Sequence, residues 1–226
     1  MVIDTPSLKE HFHVPFADRF HDTAVTARAL GEFVPAVLRS GILSLRGGPA
    51  QAGALGRYWF TTAREVEQGN LATPHRLALI DDDGELTYRQ LRENSRTLAR
   101  HLLGLDLDEI RLGVLARNGR GIIYPLAAKG YAGASIYLLN VGSSPEQLTG
   151  CIEENGINVL VLDDEFLERL DPAVVEKQDL HVIVGHQSRG HEDHITLRDI
   201  VDRPWVTENV SPPALPNHGP IGLTSS

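Results

Sequence analysis

Four of the ten histidines, a run of three aspartates, one cysteine and a glycine-containing turn are the residues here that could do chemistry. His181, His186, His191 and His194 could offer imidazole nitrogens to a metal, but their spacings match no ligand pattern and they read as polar loop residues. Asp81, Asp82 and Asp83 resemble a carboxylate cluster. Their place directly before Gly84 makes them a hairpin turn instead. Cys151 falls inside a helix candidate beside Glu153 and Glu154, neighbours that disfavour a thiolate, so a nucleophilic role is not expected. Arg117 to Gly121 follows an apolar strand, the place for a nucleotide-binding turn. The Gly-x-Gly-x-x-Gly pattern fails there because Tyr124 stands where the third glycine is needed.

These residues must be positioned by the elements around them. Leu77 to Ile80, the Asp82-Asp83-Gly84 turn and Leu86 predict a β-hairpin. Thr87 and Gln90 form a capping box that opens a helix carrying Tyr88, Leu91, Leu98 and Leu102 on one side and ending at Gly104. Apolar runs at Leu112 to Ala116, Ser135 to Leu139, Val159 to Leu162 and Val182 to Val184 recur about 23 residues apart, the length of a strand, a helix and two short loops. Helices are predicted between the first three runs, at Gly121 to Tyr131 and Pro145 to Glu154. Ser144, Pro145 and Gln147 mark the second helix start. Continuous apolar strands alternating with helices predict a parallel sheet covered on both faces, with right-handed crossovers. Beyond Gly185 periodicity fades: Leu197 to Val201 suits a short helix, Ser211 to Gly219 is proline-rich, and Ile221 to Leu223 is a last apolar approach.

Ahead of this body, Phe12, Phe16 and Phe20, then Leu30, Phe33, Val34, Val37 and Leu38, suggest one or two amphipathic helices. The stretch Gly47 to Gly56 reads as a flexible connection. The domain expectation is thus a helical leader and connection over residues 1–60 and an α/β body over 61–226. Formal charge is −9, with the leader near neutral and the acid concentrated in the body. An acidic body disfavours nucleic acid, whose binding depends on cationic contacts to phosphate. The leader's charge is too small for the cationic face of an interfacial helix, so it is expected to pack, with membrane-surface contact left open. One cysteine precludes an intramolecular disulfide and suits a reducing, cytoplasmic compartment. No apolar run is long enough for a spanning helix, and Asp4, Lys9 and Glu10 interrupt any export signal.

Several segments, taken in order, resemble the N-terminal part of the adenylate-forming superfamily, and most closely a mycobacterial long-chain fatty acyl-CoA synthetase. Leu86 to Leu91 (LTYRQL) is similar to the family's first core motif, with Gln90 where glutamate is usual. Val114 to Asn118 resembles the strand and turn that open the first crossover. Ala128 to Ala134, followed by Tyr137 to Asn140, is similar to the second core motif. Val159 to Phe166 (VLVLDDEF) resembles the next strand with its acidic end, and Phe33 to Leu43 resembles the leader of the long-chain enzymes.

The resemblance implies the N-terminal portion of the adenylate-forming fold. It also implies a reaction in which a fatty carboxylate attacks ATP to give acyl-AMP and pyrophosphate, and CoA thiol then displaces AMP. ATP, CoA and magnesium are the cofactors so implied. The family's phosphate loop has the form Thr-Ser-Gly-Thr-Thr-Gly-x-Pro-Lys-Gly, and Thr224, Ser225 and Ser226 stand where it begins, Ser226 departing from the glycine. Such a loop needs glycines because its backbone N–H groups must approach phosphate oxygens closely. The metal ligands and the C-terminal lysine of the family have no counterpart in these 226 residues. The chain alone is therefore expected to be inactive, either the product of a disrupted gene or one half of a split enzyme that a second chain carrying the C-terminal part completes. A non-catalytic α/β binding or interaction module is the alternative.

Overall fold

The computed structural model describes residues 61–185, 194–202 and 221–223, the last three by backbone only, together with positions 48, 49 and 53. The chain divides into two compact units, residues 1–48 and 49–226. The leader phenylalanines, Phe33 to Leu43, His186, His191, the proline-rich stretch and Thr224 to Ser226 lie outside the described residues. Gly48, Pro49 and Gly53, expected in a flexible connection, have helical backbone.

The described body opens with helix α1 (Thr62–Ala72), the hairpin strands β1 (Leu77–Asp81) and β2 (Gly84–Thr87), and helix α2 (Tyr88–Leu103). It continues as β3 (Arg111–Leu115), α3 (Arg120–Ala132), β4 (Ser135–Leu138), α4 (Pro145–Asn155) and β5 (Val159–Leu162). A 3-10 turn (Asp164–Arg169), α5 (Pro172–Lys177), β6 (His181–Val184), β7 (Ile195–Thr196), α6 (Leu197–Asp202) and β8 (Ile221–Leu223) follow.

The six strands β3 to β8 form one sheet in the order β7-β6-β5-β3-β4-β8, every pairing parallel. The hairpin β1–β2 is a separate antiparallel pair. Both predicted capping boxes are present: Gln90 N donates to Thr87 Oγ1 and Thr87 N to Gln90 Oε1, and Ser144 with Gln147 repeats the exchange. Each satisfies two backbone donors that a helix start leaves unpaired.

Two apolar layers cover the sheet. On one face Leu112, Val114, Ile136, Val159, Val161 and Ile183 pack against α1, α2, α3 and α6 through residues such as Leu98, Leu102, Ala127 and Ile200. On the other, Leu115, Leu160 and Leu162 meet Leu148 and Ile152 of α4, Phe166 and Val174. The alternation of Val159 and Val161 with Leu160 and Leu162 between the faces is the period-two consequence of the pleat. Three helices converge on one buried carboxylate: Glu67 of α1 accepts from Arg92 Nε of α2 at 2.8 Å and from Tyr131 Oη of α3 at 3.0 Å, with Arg96 at 3.7 Å.

Candidate functional site

In an open parallel sheet the binding crevice lies beyond the carboxyl ends of two neighbouring strands whose following segments leave on opposite faces. Strands β3 and β5 meet that condition. After β3 the chain enters α3 on one face, and after β5 it enters the 3-10 turn and α5 on the other. A crevice of about 340 Å³ opens there, lined by Asp81 to Asp83, Arg117 to Gly121 and Asp163 to Glu165.

The hairpin turn delivers Asp81 to this crevice. Its Oδ2 accepts from the Arg120 backbone N–H at 2.9 Å, and Arg120 Nη2 reaches its Oδ1 at 2.6 Å. The Arg120 guanidinium and the first turn of α3 together hold the Asp81 carboxyl below the usual carboxylate range, against the opposing effect of burial. The aspartate run thus does form the predicted turn, with Asp83 N donating to Asp81 Oδ1, but Asp81 also caps a helix elsewhere in the chain.

Asp163 enters from the other side. It is 6% exposed, and its Oδ2 accepts from the Arg117 backbone N–H at 2.6 Å. A Cβ at Gly121 would lie 3.2 Å, and one at Gly185 3.3 Å, from Asp163 Oδ1; one at Gly119 would lie 3.2 Å from Asp81 Oδ2. Gly119 also has φ of +138°, which only glycine adopts readily. The glycines after β3 therefore make room for two carboxylates of the protein itself, where a nucleotide turn would admit phosphate oxygens. At the rim Arg117 pairs with Glu165 at 2.9 Å, which raises the guanidinium's pKa and lowers the carboxyl's.

A second, smaller cleft of about 300 Å³ runs from Gln90 and Asn94 past Arg120 to Thr196 and Arg198. Tyr124 lies at its base, its hydroxyl accepting from Asn94 Nδ2 at 2.7 Å, and burial pushes its phenol up.

The first crevice presents six carboxylates against two guanidiniums, and both arginines are already engaged. Such a lining repels a triphosphate, so the described residues do not fit ATP by themselves. Among the described residues no group of three or more His, Cys, Asp or Glu is placed to hold a metal ion, and no helix is long and apolar enough to cross a membrane. Of the phosphate-loop candidates, Thr224, Ser225 and Ser226 lie outside the described residues. The strand leading to them is placed: β8 pairs with β4 in parallel register, Ile136 with Ile221 and Leu138 with Leu223. Its carboxyl end therefore emerges on the same edge as the crevice. Sequence reasoning weighed Arg117 to Gly121 only as a failed nucleotide turn and gave Asp163 no site role. Their signal was position, since Asp163 directly follows β5 and Arg117 to Arg120 lie between the end of β3 and the start of α3.

Comparison with known proteins fits this geometry. The family model described as "AMP-binding enzyme" matches residues 66–218. A 2-succinylbenzoate–CoA ligase of Bacillus cereus (strain AH820) is 30% identical over 102 residues, covering 45% of this chain and 21% of that protein. A nonribosomal peptide synthetase, ecdA of Aspergillus rugulosus, is 27% identical over 106 residues, which make up 2% of its length. The matched part is thus about a fifth, or less, of these curated relatives. Among solved structures, a benzoate CoA ligase from Burkholderia xenovorans LB400 superposes with a TM-score of 0.53 at 20% identity, over 63% of this chain and 28% of that one. An anthranilate CoA ligase, AuaEII, gives 0.54 at 18% identity over 63% and 27%. These likenesses establish the fold alone, an α/β parallel sheet flanked by helices that matches about a quarter of each of those chains. With the family model spanning well over half of its length, the chain belongs to the AMP-binding enzyme family.

Proposed function

We propose that these 226 residues supply the N-terminal portion of a fatty-acid–CoA ligase, and that alone they do not form acyl-AMP. The observation that carries the reading is the position of β8, whose carboxyl end at Leu223 lies at the carboxyl edge of the sheet, where the crevice is lined by the protein's own carboxylates. A triphosphate site at that edge then needs donors from further polypeptide, together with magnesium to offset the acidic lining. Chemistry of this kind is positioning and charge stabilisation around phosphates, so a missing set of donors abolishes it rather than slowing it. The substrate is proposed as a fatty carboxylate on the likeness of Phe33 to Leu43 to long-chain enzymes, although the relatives named above bear aromatic or succinylbenzoate substrates in their names. The complementing polypeptide begins near the glycine-rich loop, and the work is done in the cytoplasm.

The test is carboxylate-dependent pyrophosphate exchange by the purified chain, alone and co-expressed with a polypeptide carrying the rest of a family enzyme. Fatty acids, benzoate and 2-succinylbenzoate serve as substrates. No exchange alone, and exchange with fatty acids after complementation, is expected. Exchange by the chain alone overturns the inactivity. Preference for the aromatic acids overturns the substrate assignment. Two soluble partners that neither associate nor turn over any acid leave only the product of a disrupted gene.

A further inference from the structure

Among the described residues, Val182 in the middle of β6 is half-buried beside the six-residue helix α5, on the face of the sheet that carries α4. Leu167 of the 3-10 turn, Leu170 just after it, Pro172 and Val175 of α5, and Val182 line an almost wholly apolar groove of about 520 Å³. A groove this size exceeds the scatter of single apolar residues that any surface carries. Glu168 and Glu176 are exposed on its rim, with the half-buried His194 as the one basic side chain among its lining residues. The nearby cations are turned to other tasks. Lys177 pairs with Glu153 of α4 at 2.7 Å, and Arg169 donates to the Val141 carbonyl at 2.7 Å while lying over the Phe166 ring.

We infer that this groove docks an amphipathic polypeptide segment whose apolar side chains are flanked by lysine or arginine. Charge decides among the occupants. A second copy would bring the same two glutamates onto themselves, and a fatty acid would bring a carboxylate to an acidic rim; each opposes like charges at close range. A cationic helix lays its apolar stripe into the groove and its basic flanks against Glu168 and Glu176. The inference is independent of the catalytic proposal, because the groove lies beside β6 on the α5 face and shares no lining residue with the crevice at the carboxyl edge.

The probe is a fluorescently labelled helical peptide of leucines at i, i+3, i+4 and i+7 with lysine elsewhere, titrated by anisotropy into the 226-residue chain at moderate salt. A glutamate-for-lysine version of the peptide is the control. Reversing the rim with Glu168→Lys and Glu176→Lys is expected to weaken the lysine peptide about tenfold and to strengthen the glutamate peptide, a charge swap that general attraction to an acidic protein does not produce. Val175→Asp, at a half-buried position packed against the core, is expected to weaken both peptides about tenfold and to lower the melting temperature, while the rim-reversed chain, whose substitutions are exposed, keeps its melting temperature and carries the test by itself. No binding by the unmodified chain, equal binding before and after rim reversal, binding that survives Val175→Asp, or concentration-dependent dimerisation lost in Val175→Asp would each overturn it.

Discussion

At the scale of single residues, Asp81 does the most, because one carboxylate closes its own turn, caps α3 and pairs with Arg120. Asp81→Asn keeps an acceptor for the backbone but loses the charge, and is expected to cost about 2 kcal/mol in urea denaturation, between a helix cap and a broken buried ion pair. Its pH dependence follows from the lowered pKa. Above the ordinary carboxylate range the folded and unfolded states are both ionised and the full contribution is present. As pH falls below about 4 the unfolded state takes up its proton first, and stability is lost down through the lower folded value. Wild type is therefore expected to lose more stability than Asp81→Asn between about pH 5 and pH 2 in parallel denaturation series, and equal acid losses would refute the assignment. Gly119 belongs to the same arrangement: Gly119→Ala places a Cβ against Asp81 at a left-handed φ and is expected to destabilise by about 1–3 kcal/mol.

At the scale of elements, α1 meets α3 backbone to backbone through Gly130, where an added Cβ would come within 2.7 Å of both Ala63 Cβ and Thr61 Oγ1. Gly130→Ala is expected to cost about 1–3 kcal/mol by overpacking. Adding Ala63→Gly should return part of that loss, so a double-mutant cycle by thermal melts ought to show coupling above about 0.5 kcal/mol, and strict additivity would place the strain elsewhere. Glu67→Gln, which removes the charge that ties α1 to Arg92, is expected to cost about 1–2 kcal/mol. These contacts also show what the amino-acid pattern could and could not disclose. The capping pairs Thr87–Gln90 and Ser144–Gln147, the hairpin and the strand run Val159 to Leu162 were legible because each depends on residues a few positions apart. Helix α1 was not read as a helix: its inward face is Ala63, Val66 and Glu67, and a buried carboxylate with a glycine at position 69 erases the apolar stripe. The 3-10 turn, α5 and the two-residue strand β7 are too short to express any period. At the crevice, Asp81 and Arg120 were visible as residues but not as a pair, since only the fold brings the hairpin to the start of α3.

At the scale of the whole molecule, an acidic body and apolar surface oppose one another. Leu77 and Ile80 of the hairpin are 49% and 67% exposed. The chain alone is expected to enhance the fluorescence of a hydrophobic dye and to self-associate on concentration. Ile80→Thr, which keeps a β-branched strand residue, should raise soluble yield while changing stability by less than about 0.5 kcal/mol; an unchanged yield would clear the hairpin of blame. The strand order carries a different consequence, for the time course of synthesis. Strand β3 sits between β4 and β5, both of which follow it closely in the chain, so the central trio can assemble on a ribosome once Leu162 has cleared the exit tunnel. Strands β6 and β7 then add outward on one flank in the order they emerge. Strand β8 reverses this progression, crossing back to the opposite flank to find β4 across most of the body's length, and so closes the largest loop last. Until it arrives, β4 is an open border on a half-made protein, and nascent-chain quality control meets the molecule in that state.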